Sequence, residues 1–97
     1  MENLSAQQIE ELKVKHGEIF LVEVEDKQCI LRKPSRKDLS IATRLSAQDP
    51  MKFNEVILEQ CWIQGDEEIK TEDSYYLAVS GQIAEIIEVK QASIKKL

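Results

Sequence analysis

The densest apolar stretch of the chain, residues 49–65, has the spacing of a helix that touches several neighbours. Its large apolar side chains recur at intervals of three and four residues, which is the period of one helix face. Asp49 can cap the free backbone N–H groups of a helix, and Pro50 suits the first helical position because it has no N–H to lose. The pattern predicts a helix over residues 50–64. Four side chains form the face that we expect in the core: Phe53, Val56, Ile57 and Cys61.

Two shorter segments earlier in the chain combine the same period with a helix-start signal. Ser5 and Gln8 have the spacing of a capping box, in which each side chain binds the backbone N–H of the other residue. Ser35 and Asp38 repeat that spacing. These signals predict two further helices, over residues 5–16 and 35–46. The first of them has a thin apolar face, so we expect it to be stable only when it docks on another element.

Residues 18–33 change to a period of two, which is typical of paired β-strands. A two-residue loop at Asp26 and Lys27 connects two such strands, although this pair is a weaker turn sequence than Asp-Gly and a longer loop also fits. One face of the predicted hairpin is then uniformly apolar and the other is mixed, which indicates one buried side. The opposed pairs in this register are Val24 and Cys29, Val22 and Leu31, Leu21 and Arg32, and Glu23 and Ile30.

The last third of the chain has the pattern of one long helix. After a polar turn that begins at Gly65, apolar residues keep the helical period over residues 72–95, and Thr71 or Asp73 is in position to cap them. Gly81 lies inside this pattern, where it costs about 1 kcal/mol relative to Ala. We interpret Gly81 either as a bend or as a place where a neighbour approaches closely.

These elements predict an α+β fold in one domain over residues 1–97. The fold is mainly helical, with one N-terminal β-hairpin packed on a bundle of three to four helices. A hairpin alone is marginally stable in water, so its apolar face needs a cover, which the helices must supply. Alternatively, the edges of the hairpin pair with another copy of the chain.

Composition and charge narrow the classes of function. Thirteen Lys and Arg against eighteen Asp and Glu give a net charge of −5, which argues against a nucleic-acid partner because phosphate binding needs a basic face. No apolar run reaches the roughly 20 residues of a membrane span, and no charged-then-apolar leader is present. Cys29 and Cys61 lie far apart among apolar neighbours, which predicts two reduced, buried thiols. We expect a soluble cytoplasmic protein.

Candidate catalytic and metal-binding residues are few. His16 is the only histidine and stands near a predicted helix end, where a cation is favourable. One histidine and two separated cysteines do not supply a metal site. The carboxylate pairs at residues 67–68 and 72–73 flank a turn and a helix start, where acidic residues are expected for capping alone. The sequence predicts no catalytic, metal or cofactor site, and hence a protein that is not an enzyme.

Two stretches carry a resemblance to a known family. LVEVEDKQCILRKPSRKDL, at residues 21–39, is followed by FNEVILEQCWIQGDEEIKTEDSYYLAVSGQIAEIIEVK, at residues 53–90. In this order, and in size and acidity, the chain resembles the small tail assembly chaperones of long-tailed bacteriophages. The resemblance covers residues 18–95, and this chain has Gln64 where the family pattern leads us to expect a second glycine.

The resemblance implies a binding protein of a phage or prophage that acts in the cytoplasm of the bacterial host. Such chaperones associate with the tape measure protein, keep its helical segments soluble and help to recruit tail tube subunits. An amphipathic helix of such a client needs an apolar groove. Trp62 is either a core residue or an interface anchor, since tryptophan is enriched at binding hot spots. The expected partner-binding residues are Trp62, Ile63, Tyr75, Tyr76, Ile86 and Ile94.

Three further hypotheses stay open at this point. The hairpin edges, together with the spare apolar residues Ile86, Val89 and Ile94, are able to form a homo-oligomer. A different class of protein is a small acidic regulator or inhibitor that masks a basic surface of its partner, and its binding would be sensitive to salt. A small enzyme would need a cleft that holds His16 with a cysteine or a carboxylate.

Overall fold

A three-stranded antiparallel sheet organises the fold in a computed structural model that describes residues 4–87 and 91–97. Its strands are β1 (Ile19–Val24), β2 (Lys27–Arg32) and β3 (Trp62–Gly65). The order is β1-β2-β3, so β2 is the central strand and the other two are edges. The mixture of helices with an antiparallel sheet agrees with the predicted α+β class.

Helices surround this sheet. Their bounds are α1 (Ala6–His16), α2 (Arg36–Leu45), α3 (Lys52–Cys61), α4 (Glu68–Thr71) and α5 (Asp73–Ser80), followed by a 3₁₀ turn at Ile83–Ile86. Both predicted capping boxes are present. The Ser5 hydroxyl accepts from the Gln8 N–H at 3.2 Å, and the Gln8 side chain accepts from the Ser5 N–H at 2.8 Å. Ser35 and Asp38 make the same pair of bonds. The two capping boxes therefore start α1 and α2 where the sequence predicts these helices.

The register of the hairpin differs from the prediction by two residues. The turn lies at Glu25 and Asp26, with Glu25 at a φ of 53°, and Val24 pairs with Lys27. Lys27 belongs to β2 because later parts of the chain hold this end of the strand. Its ammonium group lies 3.2 Å from the Glu68 carboxylate. The N–H of the neighbouring Gln28 donates to the Asp66 carboxylate at 2.9 Å, and the Gln28 carbonyl accepts from the Asp66 N–H at 3.0 Å. A shift of two residues keeps every side chain on its predicted face but changes its cross-strand partner.

The predicted helix over residues 50–64 is wrong at its end. α3 stops at Cys61, and residues 62–65 pair with β2 as a third strand, with a bulge between Ile30 and Leu31. Pairing with the central strand satisfies backbone groups over a long sequence distance and overrides the local helical period. At its start, the Asp49 carboxylate accepts from the Met51 N–H at 3.2 Å, so a turn precedes the helix proper.

The predicted long helix over residues 72–95 is also wrong. α5 ends at Ser80, and Gly81 follows as its cap, with its N–H bonded to the Leu77 carbonyl at 3.2 Å. The 3₁₀ turn then directs Ile83 and Ile86 into the core. Residues 91–97 form neither helix nor strand. Residues 88–90 of the predicted helix, including Val89, lie outside the described residues.

The main core lies between one face of the sheet and the helices. Cys29 and Leu31 on β2 are fully buried and belong to one core cluster with buried residues of α2, α3, α4, α5 and the 3₁₀ turn. Two of the four residues predicted for the core face of α3 are fully buried, Ile57 and Cys61, while Phe53 and Val56 pack against the core from its margin. The remaining buried members are Ala42, Leu58, Ile69, Val79, Ile83 and Ile86.

Among the described residues, α1 is the helix that lies beside the opposite face of the sheet. Ile30, between Cys29 and Leu31 on β2, points to this face and is 3% exposed. No residue of α1 itself is buried, so this helix contributes one wall and no core. Within the described ranges, no helix is both long enough and apolar enough to cross a membrane.

Candidate interaction surface

The outer face of the sheet carries an apolar patch that the observed register creates. Leu21 on β1 lies directly opposite Ile30 on β2, and Ile19 lies opposite Arg32. The predicted register had paired Leu21 with Arg32 and Ile30 with Glu23, which interleaves apolar and charged side chains. The two-residue shift instead places two large apolar side chains side by side, one of them 54% exposed and the other 3% exposed. Cross-strand apolar pairs of this kind form a continuous surface.

A groove of about 330 Å³ runs between this patch and α1. Its lining is mainly apolar, with one lysine and one glutamine: Leu4, Ile9, Lys13, Ile19, Phe20, Leu21, Gln28 and Ile30. Such a lining offers hydrophobic contact and a single positive charge at its margin. Sites that bind through apolar contact have this composition, with few polar groups to fix orientation.

The wall that α1 provides is weakly attached to the rest of the molecule. Leu4, Ile9 and Leu12 are half-buried, and Val14 is 83% exposed. The helix ends at Gly17, whose φ is 81°, and the chain passes directly into β1 at Ile19. Little free energy is needed to displace a helix that buries so little surface. The groove is therefore accessible from the side of α1.

Residue types at the groove do not support bond-making chemistry. Lys13 is the one charged side chain in its lining, and the backbone N–H of Gln28 on the central strand donates to the Asp66 carboxylate at 2.9 Å. His16 lies in the last turn of α1, as predicted for a cation at a helix C-terminus. In the described part of the chain, no three His, Cys, Asp or Glu side chains gather as metal ligands.

The two cysteines are core residues. Cys29 and Cys61 are both free and fully buried, which confirms the predicted placement of two buried thiols. Burial raises the pKa of each thiol to about 11. A thiol is a nucleophile only as its thiolate, so neither sulfur is activated at neutral pH.

The predicted partner-binding residues do not lie on one surface. Trp62, Tyr75 and Tyr76 are half-buried and pack against the core, and Ile86 is 5% exposed and belongs to it. Ile63 is half-buried on β3, beside the bulge, and Ile94 is 98% exposed on the segment 91–97. The interpretation of Ile86 as a spare apolar residue is wrong, because the 3₁₀ turn directs it inward.

Trp62 packs against the core, as one of its two interpretations predicts. The Lys70 ammonium lies 4.1 Å from the centroid of its ring. A cation over a tryptophan face is attracted by the ring quadrupole. The ring is therefore engaged by the core and by Lys70, whereas Leu21 is 54% exposed.

The sequence patterns predict α1 and the hairpin as separate elements, and neither pattern indicates that a groove forms between them. Leu21 and Ile30 both lie on the mixed face of the predicted hairpin. The available signal was the apolar content of that mixed face. A hairpin turn placed at Glu25 and Asp26 brings Leu21 and Ile30 together.

Carboxylates gather at the opposite end of the strands. Glu25 and Asp26 form the hairpin turn, and Glu72 precedes α5. Partial burial, followed by the charges of Asp26 and Glu25, raises the pKa of Tyr75, so these groups share one neighbourhood. None of these three carboxylates is part of the lining of the groove.

Comparison of the chain with protein-family models, with curated proteins and with solved structures finds no match.

Proposed function

We propose that the protein is a phage or prophage tail assembly chaperone that binds helical segments of a tape measure protein and assists assembly of the tail tube. The proposal starts from the sequence resemblance over residues 18–95. It is supported by one structural observation, the apolar groove between α1 and the outer face of the sheet. The role is binding rather than catalysis, and it takes place in the host cytoplasm.

The dimensions and chemistry of the groove suit one face of an amphipathic helix. Apolar side chains at intervals of three and four residues on a client helix would insert between α1 and the Leu21–Ile30 pair. Lys13 at the margin would meet an acidic residue on the polar side of the client. Binding of this kind removes Leu21 from water, which is the main source of its free energy.

The direct test is retention of a tape measure protein from the same gene cluster in a pull-down at several salt concentrations. We expect retention by the native chain and loss of affinity by about tenfold in Leu21→Glu, because a charge replaces apolar contact. Leu45→Glu is the matched control, since Leu45 is 52% exposed, close to the 54% of Leu21, and lies on the far surface between α2 and α3. No retention by the native chain, or a gene isolated from any tail cluster, would contradict the proposal.

A second candidate is the acidic regulator or inhibitor that masks a basic partner surface. The carboxylates around Tyr75 favour it, because Glu25, Asp26 and Glu72 gather at one end of the molecule. The same pull-down separates the two candidates. Binding that is lost when the salt concentration is raised, and that Leu21→Glu does not weaken, supports the acidic regulator or inhibitor.

A further inference from the structure

The outer edge of β1 is a second exposed surface, which adjoins the groove beneath α1 at Phe20 and Leu21. In the part of the chain that the structure describes, β2 is the only strand that pairs with β1. A groove of about 460 Å³ follows this edge from Phe20 to Val24. Its other wall is formed by α5 and the 3₁₀ turn, through Ala78, Gln82, Glu85 and Ile86. An edge strand beside a groove is a template for one more strand.

The charges at this edge are negative. Glu23 is the one charged residue within β1, and Glu85 faces the same groove from the 3₁₀ turn. Both side chains are exposed, and neither forms an ion pair among the described residues. The edge therefore combines apolar contact, unpaired backbone groups and two uncompensated carboxylates.

The segment 91–97, QASIKKL, has complementary chemistry. It contains two lysines and no acidic residue, and it has neither glycine nor proline to disfavour an extended conformation. All seven of its residues are exposed, Ile94 by 98% and Leu97 completely. The fold thus leaves two large apolar side chains in water beside two positive charges.

We propose that residues 91–97 of one copy of this chain add as a strand to the β1 edge of a second copy. Successive side chains of a strand point to opposite faces, so Lys95 and Leu97 share one face of the segment. An antiparallel alignment that sets Lys95 opposite Glu23 also sets Leu97 opposite Leu21, which lies on the same face of β1. One register therefore satisfies a charge pair and an apolar pair together.

The occupant is the segment of a second copy rather than that of the same chain. In the structure none of residues 91–97 is part of the lining of this groove, and all seven are exposed. Reciprocal exchange between two copies gives a closed two-fold dimer in which each copy donates one segment and accepts one. Backbone hydrogen bonds supply affinity, and the lysine–glutamate pairing supplies selection of register.

Charge exchange tests the proposal without disturbing the core. Sedimentation equilibrium of the native chain gives a concentration-dependent mass that rises from one copy to two. Glu23→Lys and Lys95→Glu each weaken the dimer by about tenfold, because each sets like charges opposite one another at two interfaces per dimer. The double variant E23K/K95E restores the native dimerisation constant. Glu59→Lys, which makes the same charge change on the exposed surface of α3, leaves that constant unchanged.

Amide chemical shifts locate the contact. A labelled chain that lacks residues 91–97, mixed with unlabelled full-length chain, shows shifts at the amides of Phe20–Val24 and recovers its free spectrum when the unlabelled chain carries Lys95→Glu. The proposal is overturned if the native chain stays a single copy at a concentration on the order of hundreds of micromolar. A double variant that does not recover, or shifts confined to other strands, also overturns it.

Discussion

The Arg32 guanidinium and the Asp38 carboxylate form a two-point ion pair that joins the end of β2 to the first turn of α2. Nη1 lies 2.6 Å from Oδ2, and Nη2 lies 3.2 Å from Oδ1. Nη2 also donates to the Gln60 carbonyl at 2.8 Å, which ties the end of α3 to the same point. The Asp38 carboxylate accepts from the N–H and the hydroxyl of Ser35 as well. The Arg32–Asp38 pair therefore connects a strand and two helices, and Asp38 is also the third-position member of the capping box that starts α2.

This arrangement predicts a dependence of stability on acid. The hydrogen bonds from Arg32 lower the pKa of Asp38 to about 2 from its ordinary value of 3.8. Because the folded-state pKa lies below the unfolded one, the stabilisation is complete above pH 4 and is lost as pH falls through about 2. The free energy of unfolding should decline by about 2 kcal/mol across that window.

Urea unfolding measured between pH 5 and pH 2, in steps of about 0.5 pH units, checks this prediction. Asp38→Asn removes the titrating group and should flatten the decline relative to the native chain. A decline of equal size in both proteins would assign the acid sensitivity to other carboxylates.

Removal of the carboxylate at neutral pH should cost more than loss of any surface ion pair. Asp38 is 4% exposed, so Asp38→Ala leaves the Arg32 guanidinium partly buried with the Gln60 and Lys33 carbonyls as its remaining acceptors and no opposite charge beside it. We expect a loss of about 3 kcal/mol in the free energy of unfolding. Glu55→Ala breaks the exposed pair with Lys52, at 3.4 Å, and should cost less than about 1 kcal/mol. Similar losses in the two variants would refute the central placement of Asp38.

Gly65 is required by a close approach between β3 and β2. A Cβ at this position would lie 2.5 Å from the Cα and the Cβ of Cys29. Gly65→Ala should therefore destabilise the fold by about 3 kcal/mol, since the obstacle includes backbone of the central strand. Gly81→Ala is the control, because its Cβ would meet only ordinary contacts at 3.6 Å and beyond. Thermal unfolding of both variants decides the point, and equal midpoints would show that β3 does not pack as described.

The buried thiols predict slow chemical labelling. Cys29 and Cys61 are inaccessible, and burial raises their pKa values to about 11. Alkylation by iodoacetamide at pH 8, about the ordinary thiol pKa, should proceed at least about 100-fold more slowly in the native chain than in urea. Mass spectrometry of the labelled protein measures the two rates. Labelling of either cysteine at the unfolded rate would place it outside the core.

Elements whose signals are local could be predicted from sequence. Ser5 with Gln8, and Ser35 with Asp38, specify the starts of α1 and α2 through bonds that span three residues. Those bonds do not depend on where the segment lies in the fold. The mixed α and β composition followed from the same local periods.

The parts that sequence could not give depend on distant partners. Trp62 to Gly65 continue the helical period of α3, and they become a strand because β2, some thirty residues earlier, offers a free edge. Asp66 holds the start of β2 from 38 residues away, and that bond sets the hairpin register. The candidate groove also depends on the hairpin register, because Leu21 lies opposite Ile30 only in the observed register.

Site-specific photo-crosslinking tests the central claim, that the groove between α1 and the sheet binds the client. Benzoylphenylalanine replaces Leu21 in one protein and Leu45 in another, two positions of matched exposure on different surfaces. Each protein is irradiated with the tape measure protein of its gene cluster. The account predicts a crosslinked product from position 21 and none above background from position 45. A product from position 45 with none from position 21 would contradict it.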